Sequence, residues 1–288
     1  MKSRSQHLFA FICIVAQLIY SITSTRADTD GPYTYSIDDG FATITEFYDN
    51  YEGSLVITNS LGGYPVTRIG DEAFRGCNNL TSIIIVDQVT NIGHLAFKDC
   101  IGLTNIIIPI SVTSIGYESF YGCASLPTVT IPNGIVGPHS FQNCTNLQSV
   151  VTGSGVTLID HYAFINCNRL ERVYVTGNAP GVEWNSFNNS DLATIYYFPD
   201  TTGWTDVFGS KFPVLWNPSL ASMNISTGVV VCTITGTPGI PVQLEASTNL
   251  QTGPWVRQIR TNVTAGLINT MSAIDSDCPA TFYRITGP

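Results

Sequence analysis

Residues 69–85 read IGDEAFRGCNNLTSIII, and residues 92–108 repeat that pattern as IGHLAFKDCIGLTNIII. This repeat, which we call a row, recurs along the chain. It has phenylalanine at positions 74, 97, 120, 141, 164 and 187 and cysteine at positions 77, 100, 123, 144 and 167. The rows are 23 residues long, apart from a single row of 21. A fixed period of this length is typical of solenoids, in which each repeat forms one coil.

Each row predicts one coil with its apolar side chains inside. The alternation from Leu80 to Ile85 predicts a strand whose inward residues are Leu80, Ile83 and Ile85. A second short extended piece places Val89 and Ile92 inside, and the phenylalanine and the cysteine close the coil. Because one coil cannot bury its apolar face alone, successive coils must stack, about 4.8 Å apart if their strands form a parallel sheet.

The recurring pattern I-G-x-x-A-F-x-x-C-x-x-L-x-x-I-x-I-P resembles the BspA-like subfamily of bacterial leucine-rich repeat proteins, over residues 53–199. Residues 32–68 resemble the start of such proteins. The resemblance implies a secreted or surface-exposed protein linked to adhesion and protein interaction, and it implies no catalytic residues. The fold class that follows is mainly β: a leucine-rich repeat solenoid with coils of about 23 residues and a parallel sheet, followed by a small antiparallel β-sandwich domain.

Five segments are expected along the chain. The aromatic run Trp204, Phe208, Phe212 and Trp216 is interpreted as a cap over the last coil, and five short strands with turn signals between them predict the C-terminal β-domain. In order, the segments are a signal peptide (1–27), an N-terminal cap with a first irregular repeat (28–68), the solenoid (69–199), the C-terminal cap and linker (200–218) and the β-sandwich domain (219–288).

The first 27 residues predict export. Lys2 and Arg4 precede a mostly apolar stretch, and Thr25-Arg26-Ala27 offers a small-x-Ala cleavage pattern. No later segment is long and apolar enough to suggest a membrane span. Removal of the peptide leaves 9 basic and 21 acidic residues, a formal net charge of −12. A chain with so few cations argues against nucleic acid and anionic lipid as partners.

The seven cysteines that follow the predicted signal peptide divide into two groups. The five repeat cysteines are expected to be buried thiols, since a straight row at the coil spacing suits neither a disulfide nor the four converging ligands of zinc. Cys232 and Cys278 form a separate pair in the C-terminal domain of a chain predicted to be exported, and we expect them to form a disulfide.

The outward positions of the repeat strands predict a binding surface. One residue of each strand lies between the two inward positions, which gives the row Ile84, Ile107, Thr130, Val151, Tyr174 and Tyr197, flanked by Arg172. An exposed apolar row tends to mark an interaction site, although β-branched and aromatic residues also simply suit strands. Leu192 offers a rival register, shifted by one residue, that would turn Tyr197 inward.

Catalytic and metal-binding patterns are weak. His139 and His161 stand in adjacent rows near Asp160 and Glu118, but those row positions hold varied polar residues elsewhere, and we expect no metal site and no cofactor. The sequence contains no nucleophile elbow, phosphate loop or zinc-protease motif. The prediction is therefore a secreted or cell-surface, non-enzymatic protein that acts in protein–protein interaction or adhesion, with an extracellular protein or polysaccharide as its partner. The alternatives are a carbohydrate-binding accessory protein, with Tyr174, Tyr197, Trp204 or Trp255 as contacts, and a structural surface scaffold; an enzyme is the least supported reading.

Overall fold

The computed structural model describes residues 28–48 and 51–217, and beyond them the backbone of six further strands. These parts of the chain contain 22 β-strands and no α-helix. The strands up to the end of the solenoid are β1 (Asp28–Asp30), β2 (Tyr33–Asp38), β3 (Phe41–Phe47), β4 (Gly53–Val56), β5 (Ser60–Leu61), β6 (Tyr64–Ile69), β7 (Leu80–Ile84), β8 (Asn91–Ile92), β9 (Asn105–Ile107), β10 (Ser114–Ile115), β11 (Thr128–Val136), β12 (Ser149–Ile159), β13 (Arg172–Val175), β14 (Gly181–Val182), β15 (Thr194–Tyr197) and β16 (Val214–Leu215).

The coils are joined by two parallel ladders, which we call the front and the back ladder. The front ladder runs β4-β7-β9 and, after an interruption, through the first halves of β11 and β12 to β13, β15 and β16. The back ladder runs β3-β6-β8-β10, through the second halves of β11 and β12, to β14. The predicted parallel solenoid is therefore confirmed.

Proline accounts for the interruption in the front ladder. At the position before the front strand, Thr104 donates its backbone N–H to the carbonyl of Thr81. The same residue of the next coil is Pro127, which has no N–H to donate to Thr104. Pro127 still accepts a bond from Gln148 of the following coil, so the ladder resumes there.

The 21-residue row has the local distortion that its length predicts. Two residues are lost from the connection between the front and back strands, and β11 passes from one ladder to the other through register shifts at Ile131/Asn133 and Gly134/Ile135. Gly134 has φ = +88°, and a Cβ there would lie 2.2 Å from the carbonyl oxygen of Thr113. Only glycine fits this close approach of two coils.

The core is a column of phenylalanine rings, one from each coil. The rings of Phe74, Phe97, Phe120, Phe141, Phe164 and Phe187 are buried, and neighbouring centroids lie 5.0, 5.1, 4.9, 5.3 and 5.5 Å apart. Phe47 of the N-terminal hairpin stacks on Phe74 at 4.9 Å, and Phe208 approaches Phe187 at 6.5 Å from the other end. The inward residues Leu80, Ile83, Ile85, Val89 and Ile92 are likewise buried, as predicted.

The repeat cysteines are free and buried, which confirms the prediction for this row. The Sγ of Cys100 lies 3.0 Å from the carbonyl oxygen of Phe74 in the preceding coil, and Cys123, Cys144 and Cys167 make the same contact at 3.2 Å. In the last coil Ser190 replaces the cysteine, and its hydroxyl donates to the Phe164 carbonyl at 2.7 Å. The position therefore selects a small side chain that donates a hydrogen bond.

Beyond the solenoid the structure describes β17 (Ser219–Ser226), β18 (Val229–Thr235), β19 (Pro241–Ser247), β20 (Val256–Asn262), β21 (Leu267–Ala273) and β22 (Phe282–Thr286). They pair antiparallel in two three-stranded sheets, β17-β18-β21 and β20-β19-β22. The alternation of the sequence predicts strands at 229–235, 242–247, 255–261, 267–273 and 281–285, and β18 to β22 match them within one residue, whereas β17 was not predicted. The predicted signal peptide and the side chains of Cys232 and Cys278 lie outside the described residues.

Replacing Phe120 with alanine tests the ring column. Phe120 is fully buried between two stacked rings, so Phe120→Ala should lower the free energy of unfolding by about 3–5 kcal/mol, as large cavities do in protein cores. Urea denaturation measures the loss. Phe212→Ala is the matched control, because that ring is 76% exposed and should change stability little. Equal effects of the two substitutions would contradict the column.

The buried thiols should be chemically inert in the folded protein. Burial raises the pKa of Cys100, Cys123 and Cys144, and it raises that of Cys167 to about 12, so the reactive thiolate is scarce at neutral pH. In a chain carrying Cys232→Ser and Cys278→Ser, Ellman's reagent at pH 8 should react with the repeat thiols only after unfolding. Rapid reaction of the native protein would show that the thiol row is accessible.

Candidate binding surface

The outward residues of the front ladder form one row in register. Val56 pairs with Ile84, and Ile84 pairs with Ile107. After the interruption the row continues in the order Thr130, Val151, Tyr174, Tyr196 and Val214. The structure thus brings five of the predicted surface residues into line, and it adds Val56, which precedes the first full row.

Exposure divides this row into two halves. Val56, Ile84 and Ile107 are 59%, 37% and 49% exposed, and Thr130 is also exposed. Val151 is half-buried. The first half of the row is therefore accessible to a partner. We call Val56, Ile84 and Ile107 the aliphatic strip.

Tyr174 is not exposed, so the prediction of an accessible tyrosine at this position is wrong. Its side chain points outward from the sheet but is only 2% exposed, because Tyr196 and Trp216 pack beside it. The rings of Tyr174 and Tyr196 stack at 5.2 Å, and Val151, Phe198 and Val214 surround them. Tyr174, Tyr196 and Trp216, which follows β16, therefore form a second, smaller core on this outer face, which we call the outer aromatic cluster.

Tyr197 takes the inward register that Leu192 offered as the alternative. Tyr197 pairs with Val175, an inward residue, and its ring stacks on Trp204 at 4.7 Å. Tyr196, which the sequence-based register turned inward, stands in the outward row instead. The cause is a one-residue deletion before β15: Ala193 fills the inward leucine position, and Leu192 itself is 61% exposed.

Arg172 lies half-buried at the start of β13, near the outer aromatic cluster. Its guanidinium donates to the carboxylate of Glu171 at 3.0 Å. With the residue before β13 as its partner, Arg172 contributes to the rim of the cluster and does not extend the exposed aliphatic strip.

A groove lies beside the C-terminal cap. Tyr197, Trp204, Asp206 and Phe212 line it, together with Thr205 and Pro213. Trp204 and Phe208 belong to the cap core, as predicted, since their rings lie 5.2 Å apart. Phe212 does not, because it is exposed at the groove wall.

A charged pair, Lys98 and Glu118, lies where each coil passes from the back ladder to its buried phenylalanine. Lys98 donates to the carboxylate of Glu118 in the next coil, and its ammonium lies 4.4 Å from the centre of the Tyr121 ring. Desolvation raises the pKa of Glu118, but the hydrogen bonds from Lys98 and Tyr117 outweigh it, and the pKa is lowered overall. This pair holds two coils together through their side chains.

The side chains of the two histidines in adjacent rows, His139 and His161, have separate partners. The Nδ1 of His139 lies 2.5 Å from the amide oxygen of Gln142, and its ring stacks with Tyr162 at 5.0 Å. His161 instead lies between Asp160 and Glu183. Among the described residues, Asp160, His161 and Glu183 are the one group of three potential metal ligands whose donor atoms lie within 4.8 Å of one another.

The repeat region is the part of the chain that matches a known family model. Residues 66–199 match the BspA type leucine rich repeat region in six copies. A leucine-rich repeat protein of T. pallidum is 24% identical, with a TM-score of 0.53 over 59% of this chain and 81% of that one. The pneumococcal vaccine antigen PcpA is 16% identical, with a TM-score of 0.52 over 66% of this chain and 49% of that one.

A leucine rich cell surface protein of Faecalibacterium prausnitzii is 23% identical, with a TM-score of 0.48 over 73% of this chain and 59% of that one. At identities of 24% and 16%, the T. pallidum protein and PcpA, whose TM-scores exceed 0.5, establish the fold alone. Comparison with curated sequences gives no significant match. Within the described residues there is no helix with the length and hydropathy that a membrane span requires.

The burial of Tyr174 predicts a structural role for this residue. Tyr174→Ala would remove the centre of the outer aromatic cluster and should cost roughly 3 kcal/mol, the scale of an aromatic truncation in a packed site. Ile107→Ala removes a side chain that is 49% exposed from the same sheet face and should stay within about 0.5 kcal/mol. Thermal and urea unfolding compare the two. A Tyr174→Ala variant as stable as the parent would refute the packed cluster.

Proposed function

Because residues 66–199 form a BspA-type leucine-rich repeat region, we propose that this chain is an exported, non-enzymatic binding protein that holds another extracellular protein on the aliphatic strip. The observation that carries the proposal is the strip itself: Val56, Ile84 and Ile107 stand side by side on successive strands and are all exposed. A row of aliphatic side chains on an open sheet is costly to leave in water and is typical of an interaction surface.

The chemistry of the strip favours a protein partner over a polysaccharide. Sugar rings pack best against the flat faces of aromatic side chains, whereas the strip offers branched aliphatic groups that interdigitate with other apolar side chains. The aromatic residues of the same row, Tyr174 and Tyr196, are already covered by Trp216. A partner docked on the strip would therefore bury aliphatic surface against its own apolar residues.

Charge limits the kind of partner. Residues 28–217 contain 6 basic and 18 acidic residues, so the solenoid carries a formal net charge of −12, whereas residues 218–288 contain 3 of each. An acidic solenoid repels nucleic acid and anionic lipid, and it attracts neutral or basic protein surfaces. The two C-terminal sheets complete the proposal as a small β-sandwich closed by a Cys232–Cys278 disulfide, which an exported chain can keep.

A second candidate function is carbohydrate binding in the groove at the cap. Tyr197, Trp204 and Phe212 present aromatic rings there, and Asp206 adds an acceptor for sugar hydroxyls. Aromatic faces beside a carboxylate suit a polysaccharide chain better than the aliphatic strip does.

A binding screen on extracellular matrix proteins and polysaccharides tests the proposal. Ile84→Glu and Ile107→Glu should each weaken binding to a protein hit at least ten-fold, because each places a charge in the apolar contact. Ile135→Glu is the control, since Ile135 is 41% exposed but lies on the back ladder.

Equal losses from all three isoleucine variants would overturn the assignment of the aliphatic strip. Polysaccharide binding that is lost in Phe212→Ala but kept in Ile107→Glu would establish the groove in its place.

A further inference from the structure

The residue directly after the back strand differs between the first four coils and the next two. The residue after the back strand is glycine in four coils, Gly70, Gly93, Gly116 and Gly137, and a Cβ at these positions would lie 2.3–2.7 Å from backbone or side-chain atoms of the neighbouring coil. In the next two coils the same position holds Asp160 and Glu183. Their backbone N–H groups still donate to Val136 and Ile159, so the ladder is intact and only the side chains differ.

Asp160 and Glu183 at the glycine position are unfavourable for the packing of the coils by themselves. A repeat that needs glycine for close packing gains nothing from two longer side chains, and stacking two carboxylates on adjacent coils sets like charges one coil apart. Departures from a local rule tend to mark functional sites. The residue that lies between the two carboxylates is His161, a metal-ligating side chain.

The imidazole of His161 has a defined orientation. Its Nδ1 lies 2.6 Å from Asp160 Oδ1, which also accepts the backbone N–H of His161 at 2.7 Å. Asp160 therefore fixes Nδ1 as the protonated nitrogen, and it leaves the lone pair of Nε2 free to bind a metal ion. A carboxylate behind the histidine is the usual arrangement at protein metal sites, where it orients the ring and increases its basicity.

The second donor lies at the distance that zinc requires. Glu183 Oε2 is 3.4 Å from His161 Nε2. Two ligand atoms that are each about 2.0–2.1 Å from a zinc ion and subtend a tetrahedral angle are separated by about 3.4 Å. The separation of Nε2 and Oε2 is therefore the one that a zinc ion bound by both atoms would set.

The surroundings leave the remaining positions of such an ion open. His161 and Glu183 have side chains that are 50% and 39% exposed, so water reaches the site. His139 of the preceding coil is engaged with Gln142 and Tyr162, and Glu118 with Lys98. The donor set is therefore one imidazole and one carboxylate plus water, which suits zinc and related transition metals and does not suit calcium.

We propose that His161 and Glu183 bind a divalent transition-metal ion of the zinc class at the edge of the solenoid, with Asp160 as the residue that positions His161. Two protein ligands give a weak site by themselves, and the open positions allow a further ligand from solvent or from a bound protein. The proposal is independent of the aliphatic strip, which lies on the other ladder.

Isothermal titration of the purified protein with zinc chloride at pH 7.5 tests the site. Zinc should bind with one equivalent that His161→Ala and Glu183→Gln each abolish, whereas Asp160→Asn should weaken it about 10–100-fold, as loss of a supporting carboxylate does. His139→Ala is the matched control and should bind as the parent does. Calcium chloride should give no signal, and the circular dichroism of each variant verifies its fold.

Protons should compete with the metal. A histidine nitrogen binds a metal ion only when it carries no proton, so zinc affinity should fall as the pH is lowered from 8 to 6. Zinc binding that survives in His161→Ala, or an affinity of Glu183→Gln equal to that of the parent, would overturn the proposal. So would the absence of any zinc binding to the parent protein.

Discussion

The stacking of one phenylalanine ring per coil is the interaction on which the rest of the solenoid depends. A 23-residue coil has no core of its own, and it becomes a folded unit only when its ring, its aliphatic residues and its small donor side chain meet those of the next coil. The ring spacing of 4.9–5.5 Å is close to the separation of hydrogen-bonded strands, so aromatic contacts and backbone ladders are satisfied by the same translation. The hairpin residue Phe47 and the cap residue Phe208 end the column with further rings.

This regularity explains why so much of the fold could be predicted from the sequence. Phenylalanine and cysteine recur at one spacing, as at Phe120 and Cys123, because every coil offers these side chains the same environment. The residue before each cysteine position is glycine, asparagine or aspartate, and it adopts the positive φ that these residue types favour. These left-handed positions are Gly76, Asp99, Gly122, Asn143, Asn166 and Asn189. The strands of the C-terminal sheets were found by alternation in the same way, apart from β17, which the sequence analysis did not predict.

The surface could be predicted less well, because alternation shows which way a side chain points and not what covers it. Tyr174 points outward as expected, yet it is buried by Trp216, a residue 42 positions later in a segment without a repeat pattern. The order of Tyr196 and Tyr197 depended on a single deletion, which periodicity alone leaves ambiguous. The carboxylates of Asp160 and Glu183 did carry a signal, since they replace glycines of the repeat, but the distance to His161 needed coordinates.

Hydrogen–deuterium exchange of the native protein tests the central claim most directly. The amide N–H groups of Phe74, Phe97, Phe120, Phe141 and Phe164 all donate to the next coil at 2.7–2.8 Å, so they should exchange slowly and together, only when the stack of coils opens. Uniform strong protection of these amides along the column is the predicted result. Protection that differs from coil to coil, with single coils opening independently of their neighbours, would show that the coils do not depend on one another and would contradict the account.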